Sequence, residues 1–183
     1  MNDLAHDVLE TSWGWIAVMG SSNGIVSGTL PETREEDALT RMKGVKKFGM
    51  PKRVVGKFAH YFSQVNDYFS GTLTEWDIPL DLGWSPKFFG RIWEVCRTIP
   101  YGETRNYRWL AERAGNNLAV RAAGQAMARN PIPLVIPCHR VIDSSGGLHG
   151  FGGGLPLKRR LLDLEAVSLG YISGAFASQD IPI

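Results

Sequence analysis

The stretch Ile136-Pro137-Cys138-His139-Arg140-Val141 gathers the residue types that nucleophilic chemistry uses. A cysteine attacks as its thiolate, and a thiol with an ordinary pKa of about 8.5 is mostly protonated at neutral pH. His139 can act as the base. Adjacent residues rarely face each other, so a bridging water or a tight turn must connect the pair. A carboxylate would then orient the imidazole and stabilise its charged form, the nucleophile–base–orienter arrangement. Glu165 is the candidate, because the last helix must pack back on this stretch. The second cysteine, Cys96, falls in an apolar helical stripe with no histidine beside it and reads as a small buried hydrophobe.

Several elements must position these groups. Ser85-Pro86 forms a helix-start pair, and Phe88, Phe89, Ile92, Trp93 and Cys96 follow at helical spacing. Two short helices come next: Tyr107 to Ala114, capped by Asn106, and Leu118 to Arg129, capped by Asn116-Asn117, with Gly115 between them. A tandem of this kind in a basic segment outlines a helix-turn-helix, although plain helical hairpins share the outline. The second helix is Ala119-Val120-Arg121-Ala122-Ala123-Gly124-Gln125-Ala126, one arginine on a bed of small residues. That composition suits either close backbone approach to DNA or tight packing against another helix. Leu134-Val135-Ile136 reads as a short buried strand leading into Pro137-Cys138. Gly150-Phe151-Gly152-Gly153-Gly154 is a loop of low bulk whose N–H groups can approach a ligand. It lacks the Lys-Ser/Thr ending of a phosphate-binding loop. The closing helix spans Leu157 to Val167, with Leu161, Leu162 and Leu164 inward and Lys158, Arg159 and Arg160 outward. From Ser168 onward the pattern is weak.

The first half predicts a small α/β unit. Trp13 to Met19 is rich in strand formers, and Ser22-Asn23-Gly24 followed by Ile25-Val26 makes a hairpin. Thr33 to Met42 is a polar helix opened by acidic residues. A second helix opens at Pro51, carries Val54, Phe58, Phe62, Val65 and Phe69 on one face, and ends at Gly71. His60 sits off that stripe as a rim residue. Leu73 to Pro86 reads as an edge strand or extended linker. The boundary is placed near Asp81, giving units 1–80 and 81–183.

With 44% apolar and 21% charged residues, the composition is that of an ordinary globular protein. No window approaches the ~18 apolar residues of a membrane span, and no basic-then-apolar leader opens the chain, so a cytoplasmic protein is expected, or a nuclear one in a eukaryote. No metal-ligand spacing is present. Between Ser85 and Glu165 twelve Lys/Arg stand against six Asp/Glu, whereas the remainder has eight against twelve. A basic C-terminal half points to a polyanion partner.

The cysteine motif, the upstream Arg121-Ala122-Ala123-Gly124 and Asn130-Pro131-Ile132-Pro133, and the downstream Gly153-Gly154-Leu155 resemble the O6-alkylguanine-DNA alkyltransferase family. The likeness is dense from about Pro86 to Glu165 and is one of pattern over Trp13 to Phe69. It implies a ribonuclease-H-like α/β N-terminal domain and a mainly α, winged-helix-like C-terminal domain. It implies irreversible transfer of an alkyl group from O6 of guanine, less readily from O4 of thymine, to Cys138, one turnover per molecule, by a monomer with no cofactor or metal. His139 would take the thiol proton through a water, and Glu165 would hold His139. Arg121 would replace the flipped nucleotide, and Tyr107 would crowd the phosphate and protonate the departing guanine at N3. Asn130 would tie the recognition helix to the cysteine loop. Arg108, Asn116, Ala119, Ala122, Gly124 and Ser144 would complete the surface against double-stranded DNA. Pro133, Val141, Phe151 and Gly152 would line the pocket, the Cys138 and Val141 carbonyls accepting from the guanine amino group and the Gly152 N–H donating to O6. Phe151 stands where many relatives have tyrosine, so a hydroxyl is lost from the lid.

Three other readings compete. A lesion sensor that binds without repairing would lack the acceptor thiol that Cys138 provides. A cysteine hydrolase would leave the tandem helices unexplained. A sequence-reading regulator would need longer side chains on its recognition helix.

Overall fold

The computed structural model describes residues 3–171; the weakly patterned stretch beyond residue 171 lies outside them. Contacts divide the chain into two compact units, one of residues 1–84 with Pro131–Val135, the other of Ser85–Asn130 with residues 136–183. The first therefore runs past Asp81 to Trp84 and also takes in five residues from far along the chain.

The first unit is built on a mixed sheet. Strands β1 (Ala5–Thr11), β2 (Gly14–Ser21) and β3 (Gly24–Gly28) run antiparallel, and the Ser21–Gly24 turn closes the expected hairpin. Trp13, expected in a strand, instead sits in the turn between β1 and β2 and stacks on Phe69 with ring centroids 4.6 Å apart. β1 itself was not expected, because His6 and Asp7 break its apolar alternation. Both are nonetheless buried: His6 Nδ1 donates to the Pro51 carbonyl, and Asp7 accepts from the Val8 and Gly56 amides.

After α1 (Glu35–Arg41) and the single turn α2 (Val45–Phe48), the chain forms the short strand β4 (Lys52–Arg53), which pairs parallel with β1 and gives the order β3-β2-β1-β4. This corrects the helix start at Pro51. The Val54 amide bonds to the His6 carbonyl, so this backbone is committed to the sheet, and helix α3 begins only at Ala59 and runs to Phe69. Its buried face, Tyr61, Phe62, Val65, Tyr68 and Phe69, keeps the later part of the expected stripe, while Val54 is exposed. His60 is exposed on the rim, bonded to the Asp77 carbonyl. The linker lies along β3, where Ile25 exchanges backbone hydrogen bonds with Pro79 and Asp81.

In the second unit α4 (Lys87–Arg97) buries Ile92, Trp93 and Cys96. Pro86 rather than Ser85 holds its cap position, and no side chain caps it. Strand β5 (Arg105–Asn106) leads directly into α5 (Tyr107–Arg113), where the Asn106 side chain accepts from the Trp109 amide as expected. α6 (Val120–Ala128) starts two residues later than expected, without a side-chain cap, because Asn116 caps the turn at the Leu118 amide instead. Leu134-Val135-Ile136 is not a strand: Leu134 and Val135 form a turn, and Leu134 takes φ +74°, the one non-glycine positive φ among the described residues. Strand β6 (Val141–Ile142) pairs parallel with β5, and α7 (Gly154–Ser168) closes the unit.

Candidate active site

The site grows from one short pairing. β5 and β6 match Arg105 with Val141 and Asn106 with Ile142, which sets the first turn of α5, with Tyr107, beside the chain that has just left Cys138. Cys138, His139 and Arg140 form a single 3-10 turn, held by the bonds Cys138 N–H to Ile136 O and Arg140 N–H to Pro137 O. A tight turn is what neighbouring cysteine and histidine need if they are to cooperate. Cys138 is partly accessible, whereas His139 and Arg140 are buried.

Glu165, fully buried on α7, gathers that turn. Its carboxylate accepts from His139 Nε2 at 2.8 Å, from Arg140 Nε at 2.9 Å and Nη2 at 2.9 Å, and from the Gly102 amide at 2.9 Å. Arg140 also donates to the Ile99 carbonyl and lies over the Tyr101 ring. A carboxylate can only accept, so His139 carries its proton on Nε2 and its lone pair on Nδ1. Burial pulls the His139 imidazole below its ordinary range, against the pull of Glu165, and keeps it neutral at neutral pH. Burial also pushes the Glu165 carboxyl upward, but the charges and hydrogen bonds of His139 and Arg140 outweigh it and hold Glu165 at about 2. A neutral base backed by a fixed anion is ready to accept a thiol proton.

Two further groups complete the floor. Lys158 is fully buried, correcting its outward placement: Nζ donates to the Val141 carbonyl at 2.6 Å and to the His149 carbonyl at 3.2 Å. Burial lowers its ammonium pKa, while the nearby Cys138 and Asp143 act to raise it, so the cation lies within electrostatic reach of the thiol. The Cys138 and Val141 carbonyls, expected to meet the guanine amino group, already accept from the Val141 amide and from Lys158. Burial, with Cys138 and Asp143 adding to it, pushes the Tyr107 phenol up, which keeps its hydroxyl protonated as a donor.

Of the two readings of its small residues, α6 shows the packing one on one of its faces. Ala123 and Ala126 are fully buried, and Trp93 Nε1 donates to the Ala126 carbonyl, so one face packs on α4 and α5. Arg121 stands exposed on the other side, with Ala119, Ala122 and Gly124 partly open around it. Gly124 brings the helix close to the Tyr107 ring, 4.0 Å from where a β-carbon would sit. Arg108 and Asn116 are exposed on the α5 side, and Ser144 is exposed in the turn after β6. Asn130 Nδ2 donates to the Ile136 carbonyl at 2.8 Å, joining the end of α6 to the residues before Cys138. Phe151 is half-buried and Gly152 exposed in the glycine-rich loop, while Pro133 falls in the segment that belongs to the first unit. Cys96 is buried, and its thiol is pushed well up by burial, which makes it inert beside Cys138. Among the described residues no group of three or more His, Cys, Asp or Glu could hold a metal ion.

Sequence reasoning missed Arg140, Gly102 and Lys158. Lys158 was findable: it shares one helix face with Leu161, Leu162 and Glu165 at spacings of three, four and seven. Gly102 carries no signal of its own, since its amide matters only where it meets a carboxylate 63 residues away.

Comparison with known proteins gives the family of the chain. Residues 87–167 match the family model described as 6-O-methylguanine DNA methyltransferase, DNA binding domain. A methylated-DNA–protein-cysteine methyltransferase of Mycobacterium leprae is 48% identical over 132 residues, 69% of this chain and 79% of the relative. One from Methanosarcina barkeri is 36% identical over 170 residues, covering 90% and 98% of the two chains. The crystal structure of Mycobacterium tuberculosis OGT in complex with DNA superposes with a TM-score of 0.76 at 36% identity, over 90% of this chain and 94% of that one. The Cys-His-Arg turn held by Glu165 therefore belongs to a DNA-repair enzyme: the chain is a member of the methylated-DNA–protein-cysteine methyltransferase family.

Proposed function

We propose that the protein repairs O6-alkylguanine, and less readily O4-alkylthymine, in double-stranded DNA by moving the alkyl group to Cys138 once and irreversibly. The observation that carries this reading is the Cys138-His139-Arg140 turn locked onto Glu165. The thiol proton passes to His139 Nδ1 through a water, and the thiolate attacks the alkyl carbon. The S–C bond forms as the C–O6 bond breaks, its electron pair leaves on the guanine oxygen, and the Tyr107 hydroxyl supplies the proton at N3. The thioether that results has no proton to lose and no route back to a thiol, so each molecule works once.

The base must leave the duplex to reach Cys138, at a cost of a few kcal/mol. Arg121 fills the vacated space from a helix face made of small residues, and Tyr107 crowds the phosphate. Phe151 stacks on the flipped base, the Gly152 amide donates to O6, and Val141 lines the pocket. Arg108, Asn116, Ala119, Ala122, Gly124 and Ser144 meet the DNA around it, in the minor groove. In this reading the first unit is a ribonuclease-H-like module and the second a winged-helix-like reader whose helix-turn-helix is α5 and α6. A monomer suffices, and the working compartment is a reducing one that keeps Cys138 a thiol.

The test is to incubate the protein with an oligonucleotide carrying O6-methylguanine and measure its intact mass. One methyl on Cys138, with activity exhausted at one equivalent, is expected; turnover or no transfer would falsify the reading. Arg121→Ala should slow repair in duplex far more than reaction with free O6-benzylguanine, and equal losses on both would remove its flipping role.

A further inference from the structure

The acidic average of the first half conceals a strongly basic stretch. Arg41, Lys43, Lys46, Lys47, Lys52, Arg53 and Lys57 fall within seventeen residues that contain no Asp or Glu. All seven are exposed. They occupy the end of α1, the α2 turn, β4 and the turn before α3, and β4 is the edge strand of the sheet. Carboxylates answer part of this charge: Arg41 reaches Glu32, and Arg53 reaches Asp7 and Glu35. Lys47 and Lys57 donate to the Trp84 and Asp3 carbonyls, and the Asp3 carboxylate answers part of the Lys57 charge.

We propose that this edge is a second contact for the phosphate backbone of duplex DNA, separate from the α6 surface and indifferent to sequence. The inference rests on the DNA-binding reading above. Lysines on an edge strand also discourage strand pairing, but a two-residue strand needs one or two of them and not a cluster spread over two helices and two loops. A folded basic surface on a protein whose substrate is DNA meets its complement in the phosphates, and each phosphate neutralised releases condensed counterions. An anionic membrane is the poorer complement. α1 has seven residues and α2 four, too short to present an amphipathic face to lipid, and the exposed Met50, Val54 and Val55 lie on the loops before and after β4.

The experiment measures binding of the full chain to a short undamaged duplex over a range of salt, for the wild type and for Lys46→Gln/Lys52→Gln/Lys57→Gln. The triple variant should lose about two to three from the slope of log K against log salt, and about tenfold or more in affinity at moderate salt. A Lys→Arg triple variant should keep the wild-type slope. Transfer from free O6-benzylguanine should be unchanged in both, which verifies the fold. An unchanged slope in the Gln variant overturns the proposal, as does lost binding to phosphatidylserine vesicles with DNA binding intact. If the wild type itself shows no salt-dependent duplex binding, the functional reading fails together with it.

Discussion

The floor and the roof of the candidate pocket are built on opposite principles. Beneath Cys138, Glu165 accepts from three side-chain nitrogens and one backbone amide, Arg140 is spread over a carboxylate and a carbonyl, and Lys158 bonds two further carbonyls. In the glycine-rich loop expected to roof it, Gly150, Gly152, Gly153 and Gly154 are exposed, and neither Gly150 nor Gly152 has an atom near where a β-carbon would sit. In the proposed reaction the proton relay is the same for every lesion, so its geometry can be fixed in advance. Alkyl groups differ in size, and under the same proposal the side that would meet them keeps its bulk low.

Four experiments would break or sharpen that contrast. The largest effect belongs to Glu165→Gln. A carboxyl held at about 2 rather than 4.5 contributes about 3 kcal/mol at neutral pH, and urea unfolding should show a loss of that order. Alkyl transfer should fall by about 100-fold as His139 loses its anchor. A variant that unfolds normally and reacts normally would mean the floor is not one unit.

Acid should reproduce that effect in two stages. The folded pKa of His139 lies below 6.5, so its contribution is present above 6.5 and is lost as pH falls below it. The Glu165 contribution is present above 4.5 and disappears as pH falls toward 2. Below neutral pH, these two groups should therefore make stability decline on acidification, and the acid limb of the rate profile should lie below 6.5. A limb above that value would mean that His139 is charged in the resting protein.

Gly102→Ala comes next. Gly102 has φ +77°, and a β-carbon there would collide with the Leu169 side chain, so about 2 kcal/mol of stability should be lost, together with rate. Gly152→Ala gives the smallest effect. It should shift unfolding by less than about 0.5 kcal/mol while discriminating against bulky alkyl groups more than against methyl. Equal consequences for these two glycines would erase the distinction between floor and roof.

What could be read from the chain followed how locally each signal was encoded. The cysteine turn, the Asn106 cap and the α3 face are written within a few residues, and the structure keeps them. β1 was invisible because His6 and Asp7 find their partners 45 and 49 residues away, at Pro51 and Gly56. Lys158 was turned outward because charge outweighed position, although its helical register placed it beside Glu165. Leu134 defeated the strand pattern for a different reason. A fully buried leucine side chain contributes ~1.5–3 kcal/mol, enough to offset the ~1–2 kcal/mol cost of its left-handed backbone. Net charge summed over a whole half hid the basic edge for the same reason that any average hides a cluster.

The five residues Pro131–Val135 carry a consequence for dissection of the molecule. They belong to the first unit, while the residues on both sides belong to the second, and the Asn130–Ile136 bond closes the base of this excursion. The chain thus passes between units three times, so no single scission separates them. A fragment beginning at Ser85 would carry Ile132, Leu134 and Val135 into solvent, and one ending at Trp84 would lack the Pro131 carbonyl that the Gly28 amide uses. The gene cannot be trimmed to its reactive half as though the two parts were beads on a string.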